Sequence, residues 1–487
     1  MALPALYLTN ELRAHKGLRV GTSMSSHLLE RYRCPEELVR FQLSGPLSSD
    51  TGYFRFGQGT TCYGRTATGY RTTHADALLY DASRDLDTNE SALKLPFDPD
   101  EVIDNLRLER YVRRGKPSEW DWKERLLRDT YYRLRPALGV GLRKYLQRLH
   151  ARNWRRAAFP RWPVDSTVEQ LSEALLFRSM KAQGLQRVPF VWFWPRGATA
   201  CVIMTHDVED HAGYEFCGEL MDIDDAYGIK ASLQLVPEGK YRTSEAFLEQ
   251  VRDRGFEINI QDLNHDGYLF ADRQKFLRRM KEINRYGSAY GARGFRAAVL
   301  YRNLDWFDAL EFSYDMSVPS VAHLDPQHGG CCTVMPYFVH DLVEIPLTTT
   351  QDYMLFHLLG EYSLDLWKAQ SAEILQKHGL LSFLVHPDYV IEDQPRKVYR
   401  DLLSWLGELA AAEPLWFALP GEVNTWWRVR NQMRVVGDGR SWRVEGPGSE
   451  WAVLAFARIE DDHLEYEVPA NLEVIGGRSH FGAGASS

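Results

Sequence analysis

A parallel β/α barrel running from Ala200 to Thr425 is the fold this chain predicts. It sits in an α/β protein with a mixed β-then-helical N-terminal domain and a small β-rich C-terminal appendage. Three observations predict the barrel. From Ala200 onward, short apolar runs alternate with amphipathic stretches, the pattern of strands buried on both faces and followed by helices. About eight such runs are present, which favours a curled, closing sheet over an open one. No G-x-G-x-x-G or G-K-[ST] loop occurs among them, which argues against a nucleotide-binding doubly wound sheet.

The runs are ACVIMT, KASLQLV, FEINI, GFRAAV, FSYDMSV, LVEIPL, LLSFLV and LWFAL, with helices expected up to Gly228, Gly255 and Tyr286 after the first three. Before them, Gly52 to Arg65 alternates aromatic and small residues between glycines, as short strands and turns do. A helix opens near Asp98 or Asp100, either of which can cap it, with Val102, Leu106 and Leu108 near one face. FPRWPVD, at 159–165, is a rigid connector to a second helix from Ser166 to Gly184. After Trp426 and Trp427 the pattern returns to short strands: QMRVV, SWRVEG, AVLAFARI and LEYEV. The expected division is therefore 1–199, 200–425, 426–475 and a frayed tail at 476–487.

Composition narrows the setting. No apolar run approaches the roughly 20 residues of a membrane-spanning helix. The first residues, MALPALYLTNELRAHKG, lack a basic leader and a small-residue cleavage pattern, so a cytoplasmic location is expected. The six cysteines have no C-x-x-C spacing and are too sparse for a disulfide scaffold, so reduced thiols are expected. The net charge of −8 conceals a belt at 105–161 with 17 Lys and Arg against 5 Asp and Glu. That belt is either a set of solvated helix faces or a contact for an anionic surface or phosphate-bearing ligand.

In a parallel barrel the reactive groups sit where strands end and loops begin. Those positions hold Thr205-His206-Asp207-Val208-Glu209-Asp210, Gln261 to Gly267 (QDLNHDG), Arg296, Tyr314 to Ser317 (YDMS) and His386-Pro387-Asp388-Tyr389. Carboxylates, imidazoles and one arginine at a common rim are the content of a metal-assisted hydrolysis site. Asp207 and Asp210 also have a simpler use, as caps of the helix starting near His211. The loop VAHLDPQHGGCC, with His323, Cys331 and Cys332, reads as a pocket-lining segment, although adjacent cysteines are more often small buried hydrophobes.

These motifs, in this order, resemble the polysaccharide deacetylase family, carbohydrate esterase family four, over the barrel region. The resemblance implies a divalent metal, zinc or another ion, and hydrolysis of an amide on an amino sugar or related glycan precursor. It makes Asp207 the general base, Glu209 the acidic metal ligand with Asp210 as fallback, and His265 a second ligand. It makes Arg296 the residue that orients Asp207, and His386 the general acid. The family pairs its metal histidine with another four residues earlier, where this chain has Gln261. His206, Tyr301, His323 and Asp388 are candidate substrate contacts, and His323 or Asp210 could also replace the absent ligand. Three outcomes stay open at this point: amide hydrolysis with a substitute ligand, glycan binding without turnover, or altered chemistry on a related ligand. Two distances are expected: Glu209 within about 5 Å of His265, close enough to share an ion, and Asp207 hydrogen-bonded to Arg296.

Overall fold

The computed structural model describes residues 23–69, 71–86, 93–112, 157–325, 327–437 and 441–469. Of the basic belt, residues 113–156 lie outside the described residues, and with them most of the charge read from the sequence.

The N-terminal layer begins with β1 (Ser23–Met24), α1 (Ser26–Tyr32) and β2 (Arg40–Leu43), the two strands pairing antiparallel. β3 (Gly52–Arg55) and β4 (Thr61–Gly64) form an antiparallel hairpin within the stretch read as short strands and turns, and β5 (Leu93–Leu95) lies parallel to β2. α2 (Pro99–Arg107) is capped by Asp98, whose carboxylate accepts from the Asp100 and Glu101 N–H groups, with proline at the first helical position. α3 (Thr167–Ala182) and β6 (Arg187–Val191) complete this part.

The barrel follows in β/α order: β7 (Ala200–Val208), α4 (His211–Ala226), β8 (Ala231–Leu235), α5 (Glu245–Asp253), β9 (Glu257–Gln261), α6 (Arg273–Ala289), β10 (Gly294–Arg296) and β11 (Tyr314–Asp315). β12 (Tyr337–Val339), β13 (Leu342–Glu344), α7 (Asp365–Leu375), β14 (Leu380–Leu384), α8 (Asp393–Ala412) and β15 (Leu415–Phe417) complete it. The parallel strands lie in the order β13-β11-β10-β9-β8-β7-β14, and β12 pairs antiparallel with β13. All nine residues of β7 are buried, as a strand covered on both faces requires.

All eight predicted runs form strands, but only seven are staves of the curl. β8 first pairs with β7 at Met204, which leaves the Ala200–Val202 edge of β7 open. The eighth, β15, fills that gap instead of closing the barrel. Side chains bridge the seam between β13 and β14. Thr348 Oγ1 donates to the Leu380 carbonyl at 2.5 Å and accepts from the Ser382 N–H at 3.0 Å. Thr349 Oγ1 donates to the Ser382 carbonyl at 2.7 Å. The sheet is thus an incomplete barrel held at its seam by threonine hydroxyls.

α9 (Pro420–Arg430) runs through position 426, where the sequence reading ends the barrel, and buries Trp426 and Trp427. β16 (Arg434–Gly437) and β17 (Trp442–Glu445) form a hairpin; β18 (Leu454–Glu460) pairs with both β19 (His463–Glu467) and β6. A strand from before the barrel and two from after it therefore make one sheet. Leu28, Phe54, Trp192, Ile203, Trp426 and Ala455 belong to one continuous buried core, so the flanking parts pack directly against the barrel. Among the described residues no helix is long and apolar enough to cross a membrane. All six cysteines are free and buried, in line with the expected reduced state.

Candidate active site

Strand alternation decides which residues of THDVED reach the mouth. Successive side chains on β7 point to opposite faces, so Thr205, Asp207 and the following Glu209 share one side, and His206 and Val208 the other. Asp207 and Thr205 both meet Arg296, at the end of β10. Its Nη1 donates to Asp207 Oδ1 at 2.7 Å and to Thr205 Oγ1 at 3.0 Å, and its Nε to the Met316 carbonyl at 3.1 Å. The guanidinium is fully buried, and the contact between Asp207 and Arg296 is the one expected.

Gln261 ends β9 in register with Arg296. Its Nε2 donates to Asp207 Oδ2 at 3.0 Å and to Glu209 Oε1 at 3.2 Å. Glu209 Oε1 lies 2.8 Å from His265 Nε2, inside the 5 Å expected, and 3.5 Å from His386 Nε2. The His265 nitrogen is close to that oxygen but not aligned for a hydrogen bond. The other side of His386 is held by Asp352. Asp352 Oδ1 lies 2.6 Å from Nδ1, and Oδ2 accepts the His386 backbone N–H at 2.7 Å.

The charges reinforce one another. Burial alone would raise the Glu209 carboxyl, but the His265 and His386 rings hold it well below its ordinary range. Burial would lower both rings, yet Glu209 raises His265, and Asp352 with Glu209 raises His386 well above the ordinary imidazole range. Asp388 is pushed up to about 7, first by burial and then by the charges of Asp210, Glu209 and Asp352, against the opposing effect of His386.

The side chains present fit a divalent cation. One donor atom each from Asp207, Glu209 and His386 lies within 4.8 Å of the others. Gln261 Oε1, Asp262 Oδ2, Asn264 Oδ1 and His265 Nε2 are buried without a hydrogen-bond partner at the same strand end. Asp262 and His265 hold φ of 52° and 55°, in the left-handed region. The trio differs from the expected set in drawing in His386, which was expected only as an acid.

Three expected residues stand elsewhere. His206 faces the helices, with Nδ1 2.9 Å from the Val385 carbonyl and Nε2 3.0 Å from Asp224 Oδ2, an oxygen pair that Tyr399 also joins; it is no substrate contact. Asp210 is the cap of α4, its Oδ1 accepting from the Gly213 N–H at 2.9 Å. His323 turns its Nε2 to the Pro160 carbonyl instead of to the cluster around Glu209, and burial lowers the ring to about 4. Tyr301 is half-buried on the segment after β10. Asp388, beside His386, has its Oδ1 buried without a partner.

From the His323 loop, Leu324 and Asp325 line a cleft with Trp162, Thr350 and Gln351, while Cys331 and Cys332 lie in the interior. Burial pushes both thiols well above their ordinary range, which removes them as nucleophiles.

Asp352 was not legible in the sequence, since it follows PLTTTQ as a lone carboxylate and its partner lies on another strand. Also unforeseen is an aromatic group beside His386. The Tyr389 ring is 4.8 Å from His386 and 4.8 Å from His357, and Tyr353 is 5.8 Å from Tyr389.

No protein-family model matches the sequence, and no curated protein does. Among solved structures, the chain is similar to a protein described as a polysaccharide deacetylase from Mycobacterium smegmatis, at 17% identity and a TM-score of 0.40, over 49% of this chain and 93% of that one. An allantoinase matches at 13% identity and 0.38, over 48% and 92%. A family 4 acetyl xylan esterase from Clostridium thermocellum, solved with a cobalt ion, matches at 14% and 0.29, over 46% and 91%.

Proposed function

We propose that this chain is a metal-dependent hydrolase of carbon–nitrogen bonds that removes an acetyl group from an amino sugar or a related glycan precursor. One observation carries the reading. A carboxylate pinned by a buried guanidinium, Asp207 on Arg296, and an imidazole backed by a carboxylate, His386 on Asp352, meet around Glu209 and its neighbouring His265.

Glu209 and His265, with Asp207 and Gln261 beside them, would hold a divalent ion, zinc or another, which when bound polarises an acyl carbonyl and lowers the pKa of water. The chain's own groups do the rest. Arg296 holds Asp207 Oδ1, and Oδ2, which the Gln261 amide meets, is the oxygen that takes the proton from the attacking water once that amide yields it. Asp352 accepts the His386 Nδ1–H and, with Glu209, favours the doubly protonated ring, whose second proton on Nε2 is the one delivered to the departing nitrogen. The half-buried rings of Tyr389 and Tyr353 offer a flat face to a sugar ring next to that acid.

The Gln261 amide, bonded to both carboxylates, favours a second reading in which the mouth binds a glycan without turnover. The two part on one measurement: acetyl release from N-acetylated chito-oligosaccharides, followed by mass spectrometry with added zinc, manganese or cobalt. Turnover that falls about 100-fold or more in Asp207→Asn and in His386→Gln is expected. Binding of the oligosaccharide with no acetyl release under any ion leaves the second reading in its place.

A further inference from the structure

The carboxamide of Gln261 lies between two carboxylates of the site. Its two N–H groups serve two different carboxylates, Asp207 Oδ2 at 3.0 Å and Glu209 Oε1 at 3.2 Å. Neutral dipoles thus supply the positive partner that an ion would otherwise supply. The same amide leaves its Oε1 buried without a partner, in a residue only 1% exposed. The neighbouring His265 Nε2 is buried and unaligned as well. A half-turn of the terminal torsion exchanges the two ends of an amide at almost no steric cost. In one setting the NH2 group bridges the carboxylates, and in the other Oε1 faces them.

We propose that Gln261 is the residue that selects the ion at this site, by a turn of its amide. With no ion present the NH2 group keeps Asp207 and Glu209 together. When an ion enters, the amide turns, the two hydrogen bonds are given up, and Oε1 joins Glu209 and His265 as a ligand. The resulting donors are a carboxylate oxygen, an amide oxygen and one imidazole. Oxygen-rich sets suit manganese and similar hard divalent ions, whereas zinc gains most from imidazole or thiolate. The site therefore favours manganese relative to zinc more than a site with a second imidazole at position 261. Because the bridging bonds must break first, the ion is also held more weakly. This inference rests on the metal-dependent reading above but concerns only which ion is held and how.

Binding is read without turnover, by electron paramagnetic resonance of free manganese and by zinc competition against a chromophoric chelator. The full chain is compared with Gln261→His, Gln261→Glu and Gln261→Leu, and His265→Ala serves as a check that the ion sits here. Gln261→His is expected to shift the zinc-to-manganese preference at least about tenfold toward zinc. Gln261→Glu should tighten manganese, and Gln261→Leu should weaken it about tenfold or more. If His265→Ala abolishes binding but the preference is the same in all four chains, the selection role is overturned and the hydrolase reading survives. If neither the wild-type chain nor Gln261→Glu takes up any ion, both fall.

Discussion

At Arg296 the consequences of burying a charge are concentrated in one side chain. The guanidinium is entirely removed from solvent and bonds Asp207, Thr205 and the Met316 carbonyl, while Nη2 has no partner. Replacing Arg296 by Met strands Asp207, a buried carboxylate whose remaining partner is the Gln261 amide. Loss of one member of such a pair costs about 3–5 kcal/mol. Arg296→Met is expected to lower stability by that amount in urea unfolding, and pairing it with Asp207→Asn should recover part of the loss. A double variant as unstable as the sum of the singles would mean that Asp207 and Arg296 do not act as a unit. His206 teaches a different lesson at this scale. It sits beside Asp207 in the sequence, yet the pleat sends it to Asp224 and Tyr399 on the helix side. Alternation along β7 was available in the sequence; what the motif obscured was that only every second residue of THDVED reaches the mouth.

Pairs of elements show which contacts depend on pH. α1 and α2 meet through His27, whose Nε2 lies 2.9 Å from Asp104 Oδ1, with Glu30 on its other side. Burial pulls this imidazole down, but Asp104 and Glu30 outweigh it and raise it to about 9. The folded value lies above the ordinary 6.5, so the contribution is fully present below about 6.5 and disappears as pH rises through about 9. Denaturant unfolding of the wild-type chain and of His27→Gln should therefore differ at pH 6 and converge by pH 10. A difference that is constant across that range removes the protonated imidazole from the account. At the barrel seam, hydroxyls replace a backbone ladder. Each predicted strand was visible from its apolar run, but the seam was not, because Thr348 and Thr349 read as ordinary strand-end residues.

The whole molecule is joined by a buried ion pair between its first part and the barrel mouth. Glu109 and Arg302 are both fully removed from solvent; Arg302 Nε lies 3.0 Å from Glu109 Oε2. Gly330, at φ 147°, brings its N–H to 2.6 Å from Glu109 Oε1, and an added Cβ there would meet the Ser320 carbonyl at 2.8 Å. Nearby, the Tyr111 hydroxyl donates to the Gly330 carbonyl at 2.8 Å. With the continuous core from Leu28 to Ala455, this predicts one cooperative unit. Glu109→Ala leaves Arg302 buried and unpaired, and is expected to cost about 3–5 kcal/mol while unfolding stays a single transition. Two separate transitions in the wild-type chain, seen by tryptophan fluorescence and circular dichroism, would contradict that picture.

What the sequence by itself determined was local. Apolar runs placed the strands, Asp98 marked the start of a helix, and strand ends held Asp207, Glu209, His265, Arg296 and His386. These follow from periodicity and capping, which depend on residues a few positions apart. Tertiary structure alone decided the partners. Asp352 reaches His386, Tyr353 reaches Tyr389, His323 goes to Pro160, and β6 joins β18 across the whole barrel. It also decided that Asp210 serves a helix and that the Gln261 amide serves two carboxylates at once. The physical reason is that hydrogen bonds and ion pairs form between whichever groups burial brings within reach, and the burial of each group depends on how all the elements pack.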